Sequence, residues 1–266
     1  MNMCPPSEPN GSSSGKINNM ERQAAMSRKL RVLDLFSGIG GFSLGLERTG
    51  GFDTVAFCEI EPFPRKVLAK HWPHVPAFKD VRDLTGDKLD ELLISVDVIC
   101  GGFPCQDISE AGLGAGLAGE RSGLWSEIAR LAGELRPRYL LVENVSALLG
   151  RGLDRVLGDL ASLGYDALWH CIQAADVGAQ HIRDRVWIVG FLPDAPRERL
   201  MQCWREQFAQ DSETQRNLRQ WFDQPEPVRV AHGVPNRTHR LKALGNAVVP
   251  QIPELIGRAI IAAEAA

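Results

Sequence analysis

RVLDLFSGIGG, residues 31–41, decides the fold: an apolar run breaks into three glycines within four positions. Arg31 to Phe36 has the near-continuous apolar character of a strand buried on both faces, and Gly38, Gly40 and Gly41 then allow a tight turn. GFSLGLERTG, residues 41–50, places apolar groups at helical spacing, so the opening is strand, turn, helix. At such a turn the backbone can approach a ligand while the helix start offers free amides and a positive dipole end. Asp34 can reach polar atoms from the strand end. A tight turn without a ligand is the plain alternative. The spacing also departs from the dinucleotide pattern G-x-G-x-x-G, because Ser43 stands where the third glycine falls.

Outward from this turn, strands and helices alternate. DTVAFCEI (53–60) reads as a second strand, PFPRKVLAKHW (62–72) as a helix opened by proline, and SVDVICGG (95–102) as a strand running into FPCQDIS. A helix from Leu124 to Leu135, a strand at YLLVEN (139–144), a helix to about Leu163, and strands near 167–172 and 186–191 follow. This rhythm predicts an α/β fold: a Rossmann-like, mostly parallel sheet with helices on both faces. Residues 1–27 are rich in Pro, Ser, Asn and Gly and read as a disordered tail. The expected units are that tail, a catalytic and cofactor-binding domain at 28–191, a short polar recognition region at 192–232, and a terminal segment at 233–266. The last begins with a Gly-Asn turn and continues as a helix from Pro250 or Ile252 that packs back on the sheet.

The 266 residues are 44% hydrophobic and 24% charged, which excludes a wholly disordered, collagen-like or coiled-coil chain. A net charge of -3 means that a nucleic-acid partner must be met by a local basic face. Six cysteines, at 4, 58, 100, 105, 171 and 203, show neither zinc spacing nor a dense disulfide ladder, so they read as reduced thiols, with no metal expected. No apolar run is long enough to span a membrane. The expectation is a cytoplasmic monomer without a membrane partner.

Candidate site residues gather at strand ends, where ligands of open parallel sheets bind. Glu59 ends the second strand, where an acid can hold both ribose hydroxyls, and Asp80 in KDVRD lies where an adenine amino group can be met; either is alternatively a solvated acid. Cys105 follows a buried strand on a loop shaped by Gly101, Gly102 and Pro104, which reads as a nucleophile rather than filler. Glu143 in ENV puts a carboxyl at a neighbouring strand end. Arg183 and Arg185 alternate along the next strand, either entering the same site or lying on an exposed edge.

In this order DLFSGIGG, Glu59, Asp80, FPCQ, ENV, the R-x-R at Arg183 and Arg185, and the terminal RLKALGNAVVP resemble the DNA (cytosine-5) methyltransferases, particularly the short bacterial and phage form. The likeness covers residues 31–191 and about 233–260. It implies that Phe36, Gly38, Gly40, Glu59, Ile60, Asp80, Val81, Pro104, Leu124, Asn246 and Val248 line an S-adenosylmethionine site, with Ile60 packing on the adenine. It further implies Cys105 as nucleophile, Glu143 and Arg185 holding the target base, and Arg183 supporting the site. The partner is then double-stranded DNA, with the target cytosine flipped out of the helix.

Two departures stand out. In GAQHIR, residues 178–183, His181 stands in for a usual glutamine and Ile182 removes a usual basic side chain. The recognition region is also short, and its basic residues are set against seven acids. Residues 227–242, by contrast, hold Arg229, Arg237, Arg240 and Lys242 with no acid, which makes them the phosphate-binding candidate, or else a solvated basic face. Two rival functions use the same residues: an RNA (tRNA) cytosine-5 methyltransferase, and a cofactor-binding or DNA-binding protein without turnover.

Overall fold

The computed structural model describes residues 28–104, 123–218 and 237–265. The elements in chain order are β1 (Leu30–Leu35), α1 (Gly41–Arg48), β2 (Phe52–Cys58), α2 (Pro62–His71), β3 (Ala77–Phe78), α3 (Gly86–Glu91) and β4 (Val98–Gly102). After these come α4 (Leu124–Leu135), β5 (Tyr139–Val145), α5 (Leu148–Arg151), α6 (Leu153–Ser162), β6 (Asp166–Gln173), β7 (Asp184–Phe191), α7 (Arg197–Leu218), α8 (Arg237–Asn246) and α9 (Gln251–Glu264).

The strands form one seven-stranded sheet in the order β3-β2-β1-β4-β5-β7-β6. Only β7 runs antiparallel, paired with β5 on one side and β6 on the other. The order reverses between β1 and β4, and a crevice at the carboxyl ends of these strands is where such sheets bind ligands.

Both faces are covered because successive strand residues point to opposite sides. Leu33 and Leu35 of β1 enter a core built with Trp125, Ile128 and Leu131 of α4 and Val156 and Leu160 of α6. Val32 points the other way, into a core with Phe42 and Leu46 of α1 and Ile252, Ile256 and Ile260 of α9. The expected α/β architecture is thus present, and the apolar face of α9 shares a core with α1 and the sheet.

Several elements differ from the sequence reading. The two-residue edge strand β3 is too short to leave a pattern of its own. The helix expected to run to about Leu163 is broken at Gly152, whose φ of 161° and ψ of 4° separate α5 from α6. Gly245 and Asn246 form the last residues of helix α8 rather than a free turn. The polar segment after β7 is helical over Arg197–Leu218, and its first turn buries Leu200 in the α9-side core. Among the described residues no helix is long and apolar enough to cross a membrane.

Candidate active site

The turn after β1 is tied down from three directions. The Gly38 amide donates to Glu59 Oε2 at 2.7 Å, and Ser37 Oγ donates to the carbonyl oxygens of Asp34 and Cys58. Phe36, Gly38 and Gly40 all have positive φ, at 52°, 53° and 86°. The two glycines accept this without a Cβ penalty, whereas Phe36 is held there by its surroundings. A Cβ at Gly38 would meet nothing within 4 Å, so the turn borders open space. A Cβ at Gly40 would strike the Trp72 ring at 2.7 Å. That ring is anchored by its Nε1, which donates to Glu47 Oε2 at 2.9 Å.

Glu59 is buried at the end of β2, and its other oxygen accepts from the Glu61 amide at 2.7 Å. Next to it Ile60 is 52% exposed, an apolar side chain left uncovered at the crevice. Asp80 caps the short helical turn at Val81–Asp83, and its carboxylate is gripped by the Arg82 guanidinium, with the closest approach 2.6 Å. Hydrogen bonds from Arg82 hold its pKa down at about 2, so it is ionised throughout the physiological range. Val81 and Leu124 pack on the α4-side core, and Val248 presses on α1, its carbonyl oxygen 2.6 Å from where a Gly41 Cβ would stand.

Those features fit a nucleoside-bearing cofactor. A buried carboxylate, an exposed apolar side chain and a turn open at Gly38 converge at the switch point of the sheet.

The second cluster lies on β4, β5 and β7. Gly102 pairs in register with Glu143, and a Cβ on Gly102 would come 2.7 Å from the Glu143 carboxylate. The Arg185 guanidinium lies 3.0 Å from Glu143 Oε1. Burial pushes the Glu143 pKa up; the charges of Arg185 and Arg183 oppose this only in part. Arg183 does not alternate with Arg185 on one strand as expected. It precedes β7 with a φ of 24°, and its Nη1 donates to the Gly245 carbonyl at 2.5 Å, tying the β7 entry to the end of α8. Burial and the neighbouring Arg185 lower its pKa.

Cys105 lies outside the described residues, whereas Phe103 and Pro104 before it are described. Phe103 is buried against Trp125, ring centroids 5.7 Å apart, and its carbonyl accepts from Asn144 Nδ2 at 3.3 Å. Pro104 then emerges exposed, two residues after the Gly102–Glu143 pair. The sequence reading assigns no role to Asn144 or Trp125. The signal for Asn144 was its place inside ENV, beside an acid already singled out; Trp125, inside an apolar helical stripe, carried none.

The basic stretch is only partly described. Arg229 and the Arg237 side chain lie outside the described residues. Arg240 and Asn246 are exposed on α8, whereas Lys242 Nζ pairs with Glu61 Oε1 at 3.0 Å and His239 stacks on Phe63 of α2. Among the described residues no group of three or more His, Cys, Asp or Glu side chains could hold a metal ion.

Sheet order, glycine turn and acid-ended second strand together give the α/β fold that solved S-adenosylmethionine-dependent methyltransferases share. The chain belongs to the C-5 cytosine-specific DNA methylase family, whose model matches residues 30–233. It is 34% identical over 177 residues to the Type II methyltransferase M2.BsuMI of Bacillus subtilis (strain 168), covering 64% of this chain and 44% of that protein. To the Type II methyltransferase M.Sau3AI of Staphylococcus aureus it is 36% identical, over 65% of this chain and 46% of that one. The chain therefore matches less than half the length of these relatives. A solved structure described as a putative DNA modification methyltransferase encoded within a prophage (E. coli) superposes with a TM-score of 0.53 at 30% identity, covering 62% of this chain and 47% of that chain.

Proposed function

We propose that the protein transfers a methyl group from S-adenosylmethionine to carbon 5 of cytosine in double-stranded DNA, through a covalent bond between Cys105 and the flipped base. The observation that carries this reading is the Glu143–Arg185 pair, whose Glu143 stands in register with Gly102, a residue three positions before Cys105.

Phe36, Gly38, Gly40, Glu59, Ile60, Asp80, Val81, Pro104, Leu124, Asn246 and Val248 would hold the cofactor, with Glu59 on the ribose and Ile60 on the adenine. When bound, it supplies an electrophilic methyl group. Cytosine carbon 5 is a poor nucleophile until the Cys105 thiolate adds to carbon 6. Glu143 holds a proton at nitrogen 3, so the electron pair displaced by that addition makes carbon 5 nucleophilic. Its raised pKa suits this work, because a buried acid keeps its proton at higher pH than an exposed one. Arg185 stabilises charge developing on the base oxygen, a contribution typically worth about 3 kcal/mol. Arg183 supports the pair from the α8 side. Once carbon 5 carries the methyl group, loss of its proton expels the thiolate and restores the ring.

The reading places a monomeric enzyme in the cytoplasm, with phosphate contacts from Arg229, Arg237, Arg240 and Lys242. The same pocket chemistry serves RNA, so the test compares substrates. Tritium from labelled S-adenosylmethionine should enter duplex DNA and not transfer RNA. Label only in transfer RNA would overturn the choice of substrate, and label in neither would favour a binder without turnover.

A further inference from the structure

We propose that Asp34 is a positioning residue for the cofactor site, its buried carboxyl holding Ser43 and with it the first turn of α1 against β1, so that the Gly38–Gly41 turn keeps one course. The inference rests on the cofactor reading above.

Asp34 and Ser43 are both fully buried, and Ser43 Oγ donates to Asp34 Oδ2 at 2.7 Å. The two residues bracket the turn in sequence. Asp34 shares the Val32 face of β1, the face that α1 and α9 cover, so the contact follows from strand alternation. The backbone carbonyl of Asp34 holds the same turn from its other end, accepting from Ser37 Oγ at 2.5 Å. Asp34 therefore grips both flanks of the segment whose Gly38 amide reaches Glu59.

Stability does not explain a carboxyl here. Burying one is costly, and Asp34 Oδ1 takes no hydrogen bond of ordinary length. The Cys100 thiol, on the residue paired with Asp34 across β1 and β4, bears on the group, as does the charge of Glu59. An apolar side chain would fill this place more cheaply, as Val32 does on the same face. In the dinucleotide pattern a third glycine lets the helix pack close to its strand. Here that position is Ser43, and a hydrogen bond spans the gap instead of bare contact.

The test is calorimetric titration with S-adenosylhomocysteine of the full chain and of D34A, S43A, the double variant and D34N. Tyr165→Phe is the control. It removes a buried hydrogen bond to the Pro137 carbonyl (2.7 Å) at the opposite ends of the strands, and is expected to lower Tm while leaving Kd unchanged. D34A and S43A should each raise Kd about tenfold, and the double variant should bind no more weakly than the worse single one, since both changes break one interaction. D34N, which still accepts from Ser43, should restore binding to within about threefold. Should D34A fail to fold, S43A and D34N still decide. If S43A binds no worse than Y165F, or the two penalties multiply, this inference alone is overturned. An unaltered chain that binds no S-adenosylhomocysteine overturns the reading of the site as well.

Discussion

The Arg185 guanidinium meets the Glu143 carboxylate at 3.0 Å across the antiparallel β5–β7 pair, with the side chains only 22% and 12% exposed. Neither strand alone builds this pair. An antiparallel β7 inserted beside β5 brings an arginine from its first residues to an acid near the end of β5, beside Gly102 of β4. Removing the arginine takes away the larger of the two positive charge effects on the acid, that of Arg183 remaining. Arg185→Ala should therefore lower methyl transfer by about a hundredfold at saturating cofactor while S-adenosylhomocysteine affinity changes little, as steady-state kinetics and calorimetry would read. Equal losses in both would place Arg185 in the cofactor site instead.

Asp34 predicts a pH dependence of stability. Burial raises its pKa from the ordinary 3.8 to about 7, so between these values the folded chain binds a proton that the unfolded chain does not. Its contribution is fully present below the unfolded pKa and is lost as pH rises through the folded one. Relative to D34N, the unaltered protein should lose roughly 1.4 kcal/mol per pH unit between pH 5 and 7 and level off above that, in urea unfolding followed at each pH. A difference independent of pH would show that Asp34 is ionised in the fold.

Asn144→Ala should release the Phe103 backbone, two residues before Cys105. The Phe103 carbonyl loses its Asn144 donor at 3.3 Å, for a destabilisation of about 1 kcal/mol. Because Cys105 is the proposed nucleophile, kcat should fall more steeply than thermal stability, whereas the KM for S-adenosylmethionine should hold. A loss of stability with kcat intact would make the contact structural only.

Lys242 has two competing partners, Glu61 in the structure and a DNA phosphate in the proposed complex. Its ion pair with Glu61 leaves both side chains about half exposed, at 60% and 49%, so breaking it should cost less than about 1 kcal/mol of stability. If Lys242 exchanges Glu61 for a phosphate, Lys242→Ala should reduce the log–log salt slope of DNA binding by about one and Glu61→Ala should tighten binding. An unchanged slope in both would assign Lys242 to bracing α8 on α2.

Local patterns carried most of the fold. The apolar runs at Val32–Leu35, Val98–Cys100 and Tyr139–Val142 are buried on both sides and read as strands without help. Helix α4 was likewise legible from Leu124 to Leu135, because Trp125, Ile128, Leu131 and Ala132 recur on one face. What escaped depended on partners distant in sequence. The edge strand β3 exists only through its pairing with Phe57 and Cys58. Helix α7 is polar, and among its described side chains Leu200 is buried in the core while Cys203 and Trp204 pack against it. At the site, Glu143 and Arg185 could be picked out from their positions in strands, but their contact needed the antiparallel insertion of β7. Lys242 read as a phosphate ligand because nothing near it in sequence announces Glu61.

Covalent capture by Cys105 is tested by incubating the protein and S-adenosylmethionine with duplex DNA carrying 5-fluorocytosine at many sequence contexts and measuring the protein by denaturing mass spectrometry. A stable covalent adduct mapped to Cys105 and absent from Cys105→Ser is expected, because fluorine blocks the proton loss that would release the thiolate. An adduct on another cysteine, or methylated duplex from the C105S variant, would contradict it.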